Sequence, residues 1–195
     1  MKVGECVHIR MADPDDAEAL VRFYDPTIAR SMLLDVRREL QYPTADELRE
    51  TLRSKEVRAG LLYIIEDDAG ALRGCCALKP PAPEVTYSEM LFGLAQDEDY
   101  AGPIGDEAMA WLLASAFVKR RLSKVMAQCL ETEAGYRGLL ARHGFTSDGV
   151  QREVVYTGGR YLALETLSVV RDAYLARRPP VDAPTASNAK VVSPP

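Results

Sequence analysis

Histidines and cysteines are the residue types with the strongest claim to metal or redox chemistry, and this chain holds only His8, His143, Cys6, Cys75, Cys76 and Cys129. Their spacing supports neither chemistry. No C-x-x-C pair exists, and adjacent Cys75 and Cys76 on a strand would point to opposite faces, which disfavours a shared metal or a disulfide. Two histidines do not supply a ligand set, so no metal is expected. Lys119, Arg120, Arg121 and Lys124 form the one basic cluster. Against it stand 29 acidic and 24 basic residues and a net charge of −5. Nucleic acid needs a basic face, so it is not expected as a partner, and the cluster reads as a solvated helix end. Asp35, Glu39 and Glu66 could suit a cationic amine, although a solvated surface accounts for them equally.

The elements that position these groups come in a mixed order. Cys6 to Met11 alternates as a strand, and Asp13-Pro14-Asp15-Asp16 opens a helix with Leu20, Val21 and Phe23 on its apolar stripe. Ile28 to Leu40 reads as a second helix. Thr44-Ala45-Asp46-Glu47 is a capping box for a third, which runs to about Arg53. The period then changes. Leu61 to Glu66 and Ala71 to Lys79 form a hairpin about Asp67-Asp68-Ala69-Gly70, and Val85 to Ala95 is the next strand, with Gly93 marking a bulge or a close approach. A helix spans Gly105 to Lys119, a strand Lys124 to Leu130, and a helix Ala134 to Arg142 capped by Gly144. Val150 to Tyr156 and Arg160 to Val170 close the domain as a hairpin. Trp111 is expected in the core, and Tyr63 either lines a groove or packs.

This order predicts a mixed α/β domain over residues 1–176, a sheet of about six to seven strands flanked by helices. Residues 177–195 are rich in Pro, Ala and Ser and read as a disordered tail. With no signal-like segment and no apolar run of membrane-spanning length, the expected location is the cytoplasm.

Three segments of the second half carry a resemblance to a known family. Tyr87-Ser88-Glu89-Met90-Leu91-Phe92-Gly93-Leu94 resembles a central strand usually read Ala-Glu-Ile-Gly-Tyr. Gly102-Pro103-Ile104-Gly105-Asp106-Glu107-Ala108 resembles a pyrophosphate loop and helix start. Glu133 to Phe145, with Gly149-Val150-Gln151-Arg152 and Gly159-Arg160-Tyr161, resembles a C-terminal signature. In this order they resemble the GNAT acyltransferase superfamily, nearest its ribosomal-protein N-terminal acetyltransferase branch.

The resemblance implies that backbone N–H groups at a helix start hold the pyrophosphate of coenzyme A, that a splayed strand pairs with the pantetheine arm, and that an amine attacks the thioester. It puts Leu94, Ala95, Gly102, Ile104, Gly105, Asp106 and Glu133 at the coenzyme. Glu89 matches the strand glutamate that serves as general base, with a rim carboxylate as the alternative. Tyr136, one turn before Leu140, stands in for the family's tyrosine acid, with packing as the alternative. Several positions depart from the pattern. Pro103 replaces the inner glycine and removes a donor, unless an inserted residue lets Gly102 serve. Tyr100 stands at the Arg/Gln position. Asp106 replaces Thr or Ser and reads as a helix cap, Glu133 replaces Asn, and Glu107 reads as a first-turn acid.

The expected activity is transfer of an acetyl group from acetyl-CoA to an amine of a small molecule or peptide N-terminus. One alternative is a non-catalytic binding or regulatory protein on the same scaffold; another is an enzyme that uses a longer acyl-CoA or an acyl-carrier protein. A homodimer is compatible with the resemblance.

Overall fold

The computed structural model describes residues 2–24, 28–54, 62–79 and 84–177. Its strands are β1 (Lys2–Val3), β2 (Val7–Met11), β3 (Leu62–Asp67), β4 (Leu72–Leu78), β5 (Tyr87–Leu94), β6 (Lys124–Leu130), β7 (Thr146–Thr157) and β8 (Arg160–Val170). They form one sheet in the order β1-β2-β3-β4-β5-β6-β8-β7. Two-residue β1 adds a short edge to the seven full strands. All neighbours pair antiparallel except β5 and β6, which run parallel. Its helices are α1 (Ala17–Phe23), α2 (Ala45–Arg53), α3 (Pro103–Ala114), α4 (Ala134–Arg142) and α5 (Arg171–Ala176).

Strand alternation sorts apolar side chains to two faces. Val7, Ile9, Ile65, Cys76, Met90 and Phe92 pack with Met109, Leu112 and Leu139 of α3 and α4. Ile64 and Cys75 pack with Leu20 of α1 and with Leu48 and Leu52 of α2. The two adjacent cysteines therefore belong to different cores, as strand geometry requires. A third cluster, Leu130, Val155, Leu162 and Leu164, is covered by Ala29 and Leu34 from the α1–α2 connection.

Local chemistry sets the ends of several elements. The Thr44–Glu47 capping box forms as expected and starts α2. A second box joins Asp13 and Asp16 ahead of α1. Gly158 and Gly159, with φ of 57° and 78°, form the two-residue turn between β7 and β8; positive φ at both places is what a type I′ hairpin needs.

Three expectations need correction. Residues 28–40 are not a helix: they hold one 3₁₀ turn, Ser31–Leu33, and a bridge between Leu34 and Leu40. The Asp35 carboxylate bonds the backbone N–H of Arg37 and Glu39, a side-chain competition that favours a turn over a helix. Gly93 marks no bulge, since the β4–β5 register runs evenly past it and the shifts lie at Ile65/Glu66 in β3 and twice in β7. It does mark a close approach: a Cβ on Gly74 would collide with the Gly93 carbonyl oxygen. Finally, α5 follows β8 and buries Tyr174 against Phe117, with ring centroids 4.8 Å apart. The expected tail, apart from Arg177, lies outside the described residues.

Trp111 packs at the core's edge, edge-on to Tyr63 at 4.8 Å, so Tyr63 is a packing residue. Glu107 also exceeds its expected role, since its carboxylate accepts the N–H groups of Glu5 and Cys6 at 3.0 and 2.9 Å and ties the N-terminal turn to α3.

Glycines at two helix positions predict opposite outcomes. A Cβ at Gly105 would lie 2.6 Å from the Asp99 carbonyl oxygen, so Gly105→Ala should destabilise the fold by about 1–3 kcal/mol. A Cβ at Gly138 would meet only the Arg142 guanidinium at 3.9 Å, and Gly138→Ala in the interior of α4 should stabilise by about 0.5–1 kcal/mol. Chemical denaturation of both variants checks the pair of signs.

Candidate active site

Parallel pairing of β5 with β6 stops after three residues. Tyr87, Ser88 and Glu89 face Lys124, Val125 and Met126, and beyond that the strands separate while β6 continues to pair with β8 through Leu130. Backbone groups of β5 that would have bonded β6 now face a cleft. Ala95 N–H bonds back to Arg73 O on the β4 side at 2.7 Å. Alternation then turns the N–H groups of Phe92 and Leu94 toward the cleft. Leu94 N–H donates to the Tyr100 hydroxyl at 2.9 Å, which leaves the amide of Phe92 as the cleft's own donor.

At the carboxyl end of the strands a cavity of about 380 Å³ opens, lined by Arg30, Asp97, Tyr100, Glu133, Tyr136 and Arg160 among others. A far smaller hollow of about 10 Å³, room for about one water, is lined by Ser31, Met32, Glu89, Phe92, Gln128 and again Tyr136. Tyr136 is the shared wall of the two. It is buried, stacks parallel to Phe92 at 6.1 Å and leans on Tyr100 at 5.7 Å. Burial holds its phenol protonated well above the ordinary tyrosine range, with Glu133 adding to the effect. Packing and access to the cleft are thus combined in one residue.

Glu89 is the last paired residue before the strands part. Its Oε1 accepts from Lys79 Nζ at 2.8 Å, and its side chain is 32% exposed to solvent.

Glu133 does something the sequence did not suggest. One carboxylate oxygen accepts Leu130 N–H at 2.9 Å and Ser31 N–H at 3.1 Å, which ties the α1–α2 connection to the end of β6. Next to it, the buried Arg30 guanidinium donates to the Tyr100 hydroxyl at 3.2 Å. Arg30 and Ser31 fall in the stretch expected to be helical, and no motif marks them. Burial pushes the Glu133 carboxyl above its usual range, with the two amides and Arg30 pulling it partly back.

The glycine-bearing loop is built around a 3₁₀ turn, Asp97–Ala101. Gly102 is the residue before α3 and its own N–H is spent on Asp99 O, at 3.3 Å. Pro103 takes the first helical position, where a missing N–H costs least. Ile104 and Gly105 follow, and their amides are first-turn donors that have no acceptor within the helix. Asp106 makes no capping bond. Its Oδ1 instead accepts from Arg142 Nη2 and His143 Nε2, both at 3.1 Å, and so locks α3 to the end of α4. Burial, aided by Arg142 and Arg177 and opposed by Asp106, holds His143 below its ordinary pKa. Ala95 sits on the β4 side of the strand and offers the cleft no amide.

The acidic residues that could have suited a cationic amine all have partners. Asp35 and Glu39 bond Arg37, and Glu66 bonds Arg10. Among the described residues no group of three or more His, Cys, Asp or Glu could hold a metal ion. No described helix is long and apolar enough to cross a membrane.

The Glu133 environment gives a signed pH effect. A carboxyl whose pKa is raised on folding stays protonated in the folded state after the unfolded chain has ionised, so it erodes stability as pH climbs from the usual carboxylate range through the folded value. Glu133→Gln keeps an oxygen for both amides and removes the titration. Its stability relative to the parent should rise between about pH 4 and pH 7. Denaturation midpoints across that range check this, and a difference that is flat with pH contradicts it.

Comparison with known proteins agrees with this architecture. A structure described as a probable acetyltransferase shares 24% identity, with a TM-score of 0.70, covering 88% of this chain and 96% of its own. A spermidine N-acetyltransferase chimera from Vibrio cholerae and hSSAT shares 18% identity over 88% of this chain and 99% of its own, at a TM-score of 0.72. A GNAT-family acetyltransferase from Bacillus anthracis shares 14% identity at 0.67, covering 88% of this chain and 98% of its own. No curated protein sequence matches the chain. Residues 7–146 match the family described as the acetyltransferase (GNAT) domain, a span that includes the parted strands, the α3 loop and α4. This chain is a member of the GNAT acetyltransferase family.

Proposed function

We propose that the chain transfers an acetyl group from acetyl-CoA to an amine of a small molecule or peptide N-terminus. The observation that carries this reading is the parting of β5 and β6 directly after Glu89, which turns the Phe92 amide away from β4 into the gap between the strands, with the larger cavity beyond Tyr136. The pantetheine arm fits such a cleft as a substitute strand, and its diphosphate would meet the amides of Ile104 and Gly105, assisted by the dipole of α3. Gly102, Leu94 and Ala95 have already used their amides, so they shape the site rather than grip the coenzyme. Asp106 and Glu133 likewise act by holding α3, α4 and the α1–α2 connection in position.

In the reaction a neutral amine attacks the thioester carbonyl carbon, forming an N–C bond as the C–S bond breaks. In this reading Phe92 N–H donates to the carbonyl oxygen as it gains charge. Glu89 accepts the proton lost by the amine, directly or through a water. Tyr136 donates a proton to the departing thiolate, and the proton taken up by Glu89 returns through water to the tyrosinate, restoring both groups. The spermidine N-acetyltransferase named above acts on an amine, which supports an amine acceptor here; the likeness to the ribosomal-protein branch supports including peptide N-termini.

A non-catalytic reading has one observation in its favour: the Tyr100 hydroxyl already fills the Leu94 amide that a pantetheine arm would use. Calorimetry separates the two, with acetyl-CoA expected to bind and an absence of binding at millimolar coenzyme sinking the proposal. Glu89→Gln should retain coenzyme binding and lower kcat by roughly a hundredfold in an assay of coenzyme A release.

A further inference from the structure

Six of the described arginines meet a carboxylate at ion-pair distance, and others, Arg160 of the larger cavity among them, do not. Arg10 bonds Asp16 and Glu66, Arg73 bonds Asp99, Arg137 bonds Glu165, and Arg142 bonds Asp106. Arg38 is different. It is half-buried, and its Nη1 donates to the neutral amide oxygen of Gln128 at 2.9 Å; among the described residues no carboxylate lies within ion-pair distance of it. Its neighbour Arg37 meanwhile takes both nearby acids, Asp35 at 3.2 Å and Glu39 at 3.1 Å.

The position of this guanidinium relative to the reaction follows from register. Glu89 pairs with Met126, and Gln128 lies two residues further along β6, so Glu89 and Gln128 share a face of the sheet. Both line the hollow that also holds Ser31, Met32 and Tyr136. Gln128 thus fixes Arg38 beside the cleft on the face from which Glu89 would receive the amine's proton. The backbone adds a second, independent sign. Arg38 has φ of 65°, in the left-handed region where glycine or asparagine sits with less strain, yet an arginine occupies it. Strain of this kind collects at binding sites, where the side chain's placement matters more than local comfort.

We propose that Arg38 binds a carboxylate on the acceptor, so that the substrate class is an amine that also carries an acid, an α-amino acid in its simplest form. This rests on the acetyl-transfer reading and narrows it. The amine end lies at Glu89 and the acid end at Arg38, whose planar fork suits a carboxylate. A polyamine would bring a second cation toward an unmatched arginine and is disfavoured for the same reason.

The test uses matched acceptors, free amino acids against their amides, with spermidine as the cationic control and acetyl-CoA as donor. The parent protein should favour the acids over the amides by roughly ten- to a hundredfold in kcat/KM, mostly through KM. Arg38→Gln should bring that ratio toward one, and Arg38→Lys should recover part of it. A ratio unchanged by Arg38→Gln, or a preference for spermidine, overturns the inference while leaving acetyl transfer intact. Calorimetry with N-acetyl amino acids and their amides reads the same subsite without turnover. Equal binding of the two by the parent protein overturns the inference even if no acceptor is acetylated, whereas failure to bind acetyl-CoA overturns the parent reading alone. Circular dichroism on both variants excludes misfolding as the cause.

Discussion

Two parallel strands that stay bonded for three residues and then separate create an electrostatic problem that side chains around them solve in part. Every backbone N–H and C=O leaving the β5–β6 ladder needs a partner, because an unmet buried amide costs about as much as a lost hydrogen bond. Tyr100 meets Leu94, Glu133 meets Leu130, and the N–H of Ser31 joins the same carboxylate. These bonds pull the 3₁₀ turn before α3, the start of α4 and the α1–α2 connection onto the cleft's rim. The aromatic group of Phe92, Tyr100 and Tyr136 then fills the space between them. Side chains meet the freed amides of Leu94 and Leu130, so the strands stay apart beyond Glu89.

This arrangement also explains why the departures from the family pattern are mutually consistent. A proline at the first position of α3 gives up an N–H the helix could not use internally. An aspartate at 106, poorly suited to a diphosphate, is matched by Arg142 and His143. Tyrosine at 100 and glutamate at 133 turn coenzyme-contacting positions into structural ones. Each of these side chains holds one element to another, and in the proposed reading the Phe92, Ile104 and Gly105 amides remain for the ligand.

Much of the fold was legible in the sequence because its signals are local. Strand β6 and helices α2 and α4 carry period and capping cues that tertiary contacts do not override, as at Thr44–Glu47. Residues 28–40 were not legible, since helical spacing there competes with the Asp35 side chain, which claims the backbone for a turn. The site was legible only in outline. Glu89, Tyr136 and the α3 loop stood out by resemblance, while Arg30, Ser31 and Arg38 reach the candidate site through bonds to residues 70 to 102 positions away in sequence, and Phe92 through the turning of a strand. No single-residue signal encodes those.

The central claim is that the parted strands take the coenzyme. An amide-resolved NMR titration with acetyl-CoA tests it most directly. The account predicts saturable shifts concentrated at Phe92, Leu94, Ile104, Gly105 and Tyr136. Saturable shifts confined to other surfaces, or none at millimolar coenzyme, would contradict it.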